Sequence, residues 1–213
     1  MLRVLPWTRL SVISGALGAI SLAACGHVPF DASETSAQTV ANVADRSVAR
    51  SINGRVIYPA GQMLDLPGGQ RRPVRSLLQI TRPMRYGDYS WNERSVPDGE
   101  TWVRVDLAKQ ILSVFRAGHE IGSAVIIYGT DGKATPSGIF SILSRAERHR
   151  SNLYDADMPF MLRLTGDGVA IHASTVQRGS ATHGCIGVPP GFARLLYSQM
   201  RRGDMVAVLP STA

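Results

Sequence analysis

The chain has 213 residues, 44% of them hydrophobic and 18% charged, which is enough apolar material to bury the core of one medium domain with extras, or of two small ones. Lys plus Arg exceeds Asp plus Glu by seven, and apart from Lys109 and Lys133 every basic residue is Arg. These cations are scattered, with no run longer than Arg-Arg and no basic helix carrying interleaved aromatics, so the charge does not describe a nucleic-acid footprint and suits any anionic polymer by long-range attraction.

At the N-terminus, Arg3 and Arg9 lead into an uncharged apolar run from Leu10 to Ala24. The run is too short to span a bilayer as a helix and has the build of a secretory signal. It ends in Leu22-Ala23-Ala24-Cys25, which resembles the lipobox of bacterial lipoproteins. By that resemblance residues 1–24 are a cleaved signal peptide and Cys25 carries a diacylglycerol thioether as the first mature residue; the other reading is an ordinary signal followed by a chance cysteine. Cleavage removes two Arg and leaves 21 basic against 16 acidic residues, or +5. Gly26 stands where an inner-membrane retention signal has Asp, so the resemblance implies an exported, periplasmic protein anchored by lipid to the outer membrane. With Cys25 so occupied, Cys185 has no disulfide partner in the chain. An unpaired thiol in an oxidising compartment is a liability unless it has a use.

Residues 25–60 are small and polar, with Ala37, Val40, Ala41, Ala44 and Val48 at helical spacing. They read as a tether with a short helix ending near Asn53-Gly54. Residues 61–98 form a lead-in rich in Gly, Pro and Arg, with an evident loop at "LPGGQRRP" and no clear periodicity. From Thr101 the pattern sharpens into three strands: Val103, Val105 and Leu107 alternate with charges, Ile111 to Phe115 follow, and the Ala117-Gly118-His119 turn leads into Ile121 to Tyr128. Residues 138–143 form another strand, and residues 160–172 a hairpin turning at Gly166-Asp167-Gly168 that delivers His172 at a strand end. A helix is predicted over 190–202, with Phe192, Leu195, Leu196 and Met200 on one face, Pro near its start and Gly203 past its end. "DMVAVLP" closes the chain as a strand. The fold class is mainly β with α: a β domain over residues 99–212 with one clear C-terminal helix.

The chemistry centres on Thr182-His183-Gly184-Cys185-Ile186-Gly187, with His172 thirteen residues before the cysteine. Acyl transfer by a thiol requires an ionisable sulfur, a base that can return the proton, and donors for the oxyanion. A free thiol, with a pKa of about 8.5, is only a few per cent thiolate at neutral pH, and either imidazole can serve as its base. Gly184 permits a backbone conformation closed to other residues and lets a substrate carbonyl approach the N–H groups of Gly184 and Cys185. The same residues have plainer readings. Cys185 suits a small buried apolar position, His172 a hydrogen-bonded core position, and two His with one Cys can hold zinc. Spacing alone leaves these open.

The run "IHASTVQRGSATHGCIGVPP" is similar to the signature of the YkuD-like L,D-transpeptidases: a His, a spacer, then Ser/Thr-His-Gly-Cys and a hydrophobic residue. Here these are His172 and Thr182-His183-Gly184-Cys185-Ile186. "VRVDLAKQILSVFRAGHEI" resembles the family's opening hairpin, "YGTDGKATPSGIFSI" its Thr-Pro-Thr-Gly-x-Phe block, and "HRSNLYDADMPFMLRLTGDGVAIH" the stretch leading into the His. The resemblance covers roughly residues 90–210, about half the chain. It implies a YkuD-like β-sandwich or barrel and a cell-wall enzyme without cofactor or metal. In that family mechanism Cys185 attacks the carbonyl of the third stem residue of a peptidoglycan tetrapeptide, D-Ala leaves, and an amine acceptor resolves the thioester. His172 matches the base, with the Ala173 carbonyl fixing its tautomer. His183, Gly184 and Thr182 match the oxyanion and substrate site, and Tyr154 is a candidate for an oxyanion or lid role, or else a packed aromatic.

One residue departs from the pattern. Where the family has Arg or Asn after "HGCI", this chain has Gly187, which implies altered donor or acceptor choice, takeover by another cation such as Arg178, or decay to a binding protein. Two rivals to the transpeptidase therefore stand: a hydrolytic amidase or carboxypeptidase on the same scaffold, and a non-catalytic peptidoglycan-binding lipoprotein. The expected partners are peptidoglycan stem peptides and, through Cys25, a membrane.

Overall fold

The alternation of apolar and polar residues after Thr101 is realised as three consecutive antiparallel strands, β5 (Thr101–Asp106), β6 (Ile111–Arg116) and β7 (His119–Val125). The β6–β7 loop is two residues, Ala117 and Gly118, both at positive φ (49° and 80°), the conformation whose twist matches a tight hairpin. This is a computed structural model, and it describes residues 50–130, 132–151 and 155–211. The signal segment, Cys25, the helix expected around residues 37–48 and Tyr154 lie outside the described residues.

The three strands sit at the centre of a nine-stranded sheet. Before them in sequence come β1 (Arg50–Ile52), β2 (Arg55–Asp65), β3 (Arg71–Leu78) and β4 (Tyr89–Trp91); after them come β8 (Gly138–Ser141) and β13 (Met205–Leu209). The order is β1-β2-β3-β7-β6-β5-β13-β8, with β4 also pairing β7. A second, four-stranded sheet runs β12 (Ile186–Val188), β11 (Ala170–Ala173), β10 (Met161–Arg163), β9 (Ser144–Ala146). Val103, Val105, Leu112, Val114 and Ile121 of the large sheet share one buried cluster with Leu162, Ile171, Ile186 and Val188 of the small one. Helix α1 (Pro190–Gln199) packs Phe192 and Leu196 into the same cluster. The fold is therefore mainly β with one C-terminal helix.

Residues 50–60, expected in a tether, instead fall in β1 and β2, and the illegible lead-in supplies the end of β2 and two more strands, β3 and β4. The reason for the illegibility is local. A register shift between Ile57 and Gln62 breaks the pairing of β2 with β3, and most of β2 is only partly covered, so no period-2 pattern is written into it. Its attachment is polar as well as apolar. Arg55, 5% exposed, donates to the Ser76 hydroxyl (3.2 Å), to the Glu120 carbonyl (2.6 Å) and to the Asn92 carbonyl, tying β2 to β3, β7 and the segment after β4. Leu66 and Val74 pack with Trp102 and Phe115, whose rings stack at 4.4 Å on the face of the sheet away from the main core.

The helix ends three residues earlier than its sequence pattern predicts. Met200 turns to an extended conformation (φ −90°, ψ 143°) while its N–H still reaches the Leu196 carbonyl at 3.0 Å. The Asp204 carboxylate then accepts from the Arg201 N–H at 2.6 Å, and Gly203 takes φ 93° in the resulting turn. Leu195 is only partly buried, and Ala193 takes its place on the inner face.

Candidate active site

The small sheet brings the two ends of the motif together. Strands β11 and β12 pair in parallel, with Ile171 opposite Ile186 and His172 opposite Gly187. Ile171 and Ile186 both enter the main core, so His172 and Gly187 face the opposite side of the small sheet, and Cys185 immediately precedes β12. Both His172 and Cys185 line one cleft of about 590 Å³, together with Thr182, His183, Lys133, Arg163 and Asp167.

His172 is 8% exposed, and its Nδ1 lies 2.9 Å from the Ala173 carbonyl. A carbonyl only accepts, so this contact puts the proton on Nδ1 and leaves Nε2 as the basic nitrogen. Burial pushes the imidazole below its ordinary 6.5; the Ala173 carbonyl works against this, and nearby His149 adds to it. Cys185 is a free, partly buried thiol packed beside Met158, Met161 and Ala170, with Sγ 3.7 Å from the Gly168 carbonyl. Burial raises it above its ordinary 9.0; the Ala170 backbone and Lys133 oppose that shift, and Asp167 adds to it. At neutral pH the resting pair is therefore a thiol and a neutral imidazole.

The loop before Cys185 is held by contacts that the motif does not reveal. Residues 126–130 continue from β7 across to the small sheet, where Ile127 and Gly187 exchange backbone hydrogen bonds of 3.0 and 2.8 Å. Gly129 bridges Thr182, whose N–H bonds the Tyr128 carbonyl at 3.1 Å and whose hydroxyl bonds the Cys185 carbonyl. Buried Thr135 accepts from the Gly129 N–H at 2.9 Å and donates to the Gly184 carbonyl at 3.0 Å. Gly184 has φ 96°, a region that side chains rarely enter. His183 is exposed at the cleft wall.

Of the residues the sequence singles out, Cys185, His172, Thr182 and His183 line the cleft, Ala173 and Gly184 adjoin them in the chain, Gly187 pairs with His172, and Tyr154 lies outside the described residues. Sequence reasoning missed Gly129, Lys133, Thr135 and Asp167. The block containing the first three was recognised only as a unit, because the partner of Thr135 lies 49 residues away in sequence. Among the described residues, no group of three or more His, Cys, Asp or Glu is placed to hold a metal ion.

Gly187 has a packing reason. A Cβ there would stand 2.7 Å from Ile127 Cγ1 and 2.8 Å from Ser174 Cβ. Arg178 is exposed and is not among the residues lining the cleft; the fixed cations that do line it are Lys133 and Arg163. Gly187→Ala is expected to cost about 1–3 kcal/mol by overpacking, with Gly187→Arg worse, read as lowered thermal midpoints and no gain in affinity for anionic peptides.

The chain is 26% identical over 117 residues to L,D-transpeptidase 2 of Mycobacterium tuberculosis (strain CDC 1551 / Oshkosh), covering 47% of this chain and 29% of that protein. It is similar, at 26% identity and a TM-score of 0.49, to the crystal structure of an L,D-transpeptidase from Stackebrandtia nassauensis, over 54% of this chain and 57% of that one. A crystal structure of an L,D-transpeptidase mutant from Enterococcus faecium is similar at 16% identity and a TM-score of 0.49, over 76% of this chain and 87% of that one. The chain thus spans under a third of the curated relative's length and somewhat over half of the first structure's. The family model for the YkuD L,D-transpeptidase catalytic domain matches residues 100–208. That match is half the chain and contains every strand and loop that frames Cys185, and the chain accordingly belongs to the YkuD family of L,D-transpeptidase catalytic domains.

Proposed function

We propose that this protein is a peptidoglycan L,D-transpeptidase that forms an acyl-enzyme on Cys185 with a stem tetrapeptide and passes it to an amine. The observation that carries this reading is that His172, on β11, and Cys185, immediately before the paired strand β12, line the same cleft, with Nδ1 tied to the Ala173 carbonyl.

In the first half-reaction the thiol of Cys185 attacks the carbonyl carbon of the third stem residue while Nε2 of His172 takes its proton. The backbone amides of Gly184 and Cys185, with His183, stabilise the oxyanion. Collapse breaks the C–N bond, His172 returns the proton to the departing amine, and D-Ala leaves a thioester behind. An acceptor amine then attacks the thioester carbon, loses its proton to His172, and expels the thiol. Thr182 and Thr135 hold the loop on which these steps depend, and Tyr154 is the candidate for an oxyanion or lid role. Cys25 carries a lipid anchor that keeps the exported enzyme at the outer membrane, within reach of the wall.

The test is the intact mass of residues 26–213 after incubation with a carbapenem and, separately, with a disaccharide-tetrapeptide. The expected result is an adduct that is absent from Cys185→Ala and a tetrapeptide that loses D-Ala. Products in which water replaces the acceptor amine would make the protein a hydrolase. Folded protein with neither adduct nor turnover would leave the binding-protein reading.

A further inference from the structure

The cleft is lined by two fixed cations, and they are not equivalent. The Arg163 guanidinium is committed to its own hairpin, with Nε donating to the Thr165 carbonyl at 3.0 Å and Nη2 to the Gly166 carbonyl at 2.6 Å. The Lys133 ammonium lies 3.9 Å from Asp167 Oδ2, with Lys133 one-third exposed and Asp167 two-thirds exposed. Such a pair is weak and exchangeable. Lys133 comes from the loop after residue 130 and Asp167 from the β10–β11 turn, and both line the cleft that holds the thiol.

The position of Lys133 is fixed even though its charge is only loosely paired. Its N–H bonds the Thr130 carbonyl at 3.0 Å, and the Thr135 hydroxyl bolts this loop to Gly184. A Cβ on Gly184 would meet the Lys133 stem at 3.4–3.6 Å, so the stem runs along the backbone next to the nucleophile. Lys133 also pulls the Cys185 thiol downward and Asp167 pushes it upward, as groups close to the sulfur do. The Thr165 hydroxyl holds the Asp167 carboxyl below its ordinary 3.8, with Lys133 contributing, so Asp167 is an anion waiting to be exchanged.

We propose that Lys133 is the specificity-determining residue of the cleft: its ammonium leaves Asp167 to bind a carboxylate of the acyl donor next to the scissile amide. The inference rests on the transpeptidase reading above. A donor whose third residue is meso-diaminopimelate has two carboxylates flanking the scissile amide, the C-terminal one of the departing residue and one on the side chain of the third residue, and both have the chemistry that an ammonium recognises.

The experiment measures kcat and KM for acylation by a tetrapeptide, by its C-terminal carboxamide and by its third-residue side-chain amide, using the wild-type protein, Lys133→Gln and Asp167→Asn. For the free acid, Lys133→Gln is expected to lower kcat/KM roughly 10- to 100-fold, mostly through KM. One of the two amides is expected to be that much poorer with the wild type and to lose little more in the variant, which identifies the carboxylate. Asp167→Asn is expected to lower KM for the acid, an effect that loop packing would not produce. Equal losses for all three peptides in Lys133→Gln would overturn the proposal while leaving the transpeptidase reading intact. A folded wild type that accepts none of the peptides would remove that reading and this one with it.

Discussion

His172→Gln is expected to slow acylation by the tetrapeptide about 10²–10⁴-fold, the usual contribution of a positioned acid–base group, while leaving alkylation of Cys185 by iodoacetamide nearly unchanged at neutral pH. The two readouts separate because burial favours the uncharged form of each partner. The imidazole is pushed below 6.5, so acylation by the wild type should rise as pH climbs through a value below 6.5 and then stay level across the neutral range. The thiol is pushed above 9.0, so alkylation should climb about tenfold per pH unit through neutrality and continue to climb past 9.0. On the proposed mechanism these directions would make the histidine a base that acts when the substrate arrives, with no thiolate held beforehand. Alkylation that is already fast at pH 6 and collapses in His172→Gln would instead show a standing thiolate–imidazolium pair, contrary to the burial of both groups.

Gly129→Ala is the second variant with a large expected effect, although Gly129 does not line the cleft. A Cβ there would stand 2.2 Å from the Lys133 carbonyl oxygen and 2.4 and 2.5 Å from the nitrogen and Cα of Gly184. All three are backbone atoms, so no rotamer change relieves the contact, and the loops bearing Lys133 and Cys185 must move apart. Stability is expected to fall by about 3 kcal/mol or more, at the upper end for overpacking. Displacement of the nucleophile loop by about 1 Å would lower kcat/KM by roughly 10²-fold in whatever protein remains folded. Gly132→Ala, in the same loop, is the control: its Cβ meets nothing within 4 Å, and its effect should stay within about 0.5 kcal/mol. Thermal unfolding and acylation rates of the two variants decide the point. A Gly129→Ala protein as stable and active as its control would mean that the two loops are not packed this closely.

The strands from 101 to 125, the 160–172 hairpin and the final strand were legible because each buries a face whose period is written locally. Val103, Val105, Leu112 and Val114 show it most plainly. Strands β1 to β3 were not legible. Their cohesion comes from a bulged pairing and from the buried guanidinium of Arg55, whose partners Ser76, Asn92 and Glu120 lie 21, 37 and 65 residues away. The helix was legible in place and direction but not in length, because its end is set by the turn that Asp204 closes on Arg201.

By itself the sequence singled out the candidate reactive groups, a thiol, two imidazoles and a glycine at short spacing, while leaving open what they do. It also determined which family block each belongs to. Only the tertiary structure decided that His172 faces Gly187 across a parallel ladder, and that Gly187 is a glycine because Ile127 and Ser174 leave no volume for a side chain. It also decided that the fixed cations lining the cleft are Lys133 and Arg163, with Arg178 not among its lining residues. These outcomes depend on which distant segments are packed together and on how much water is excluded between them, and no local pattern of residue types encodes either.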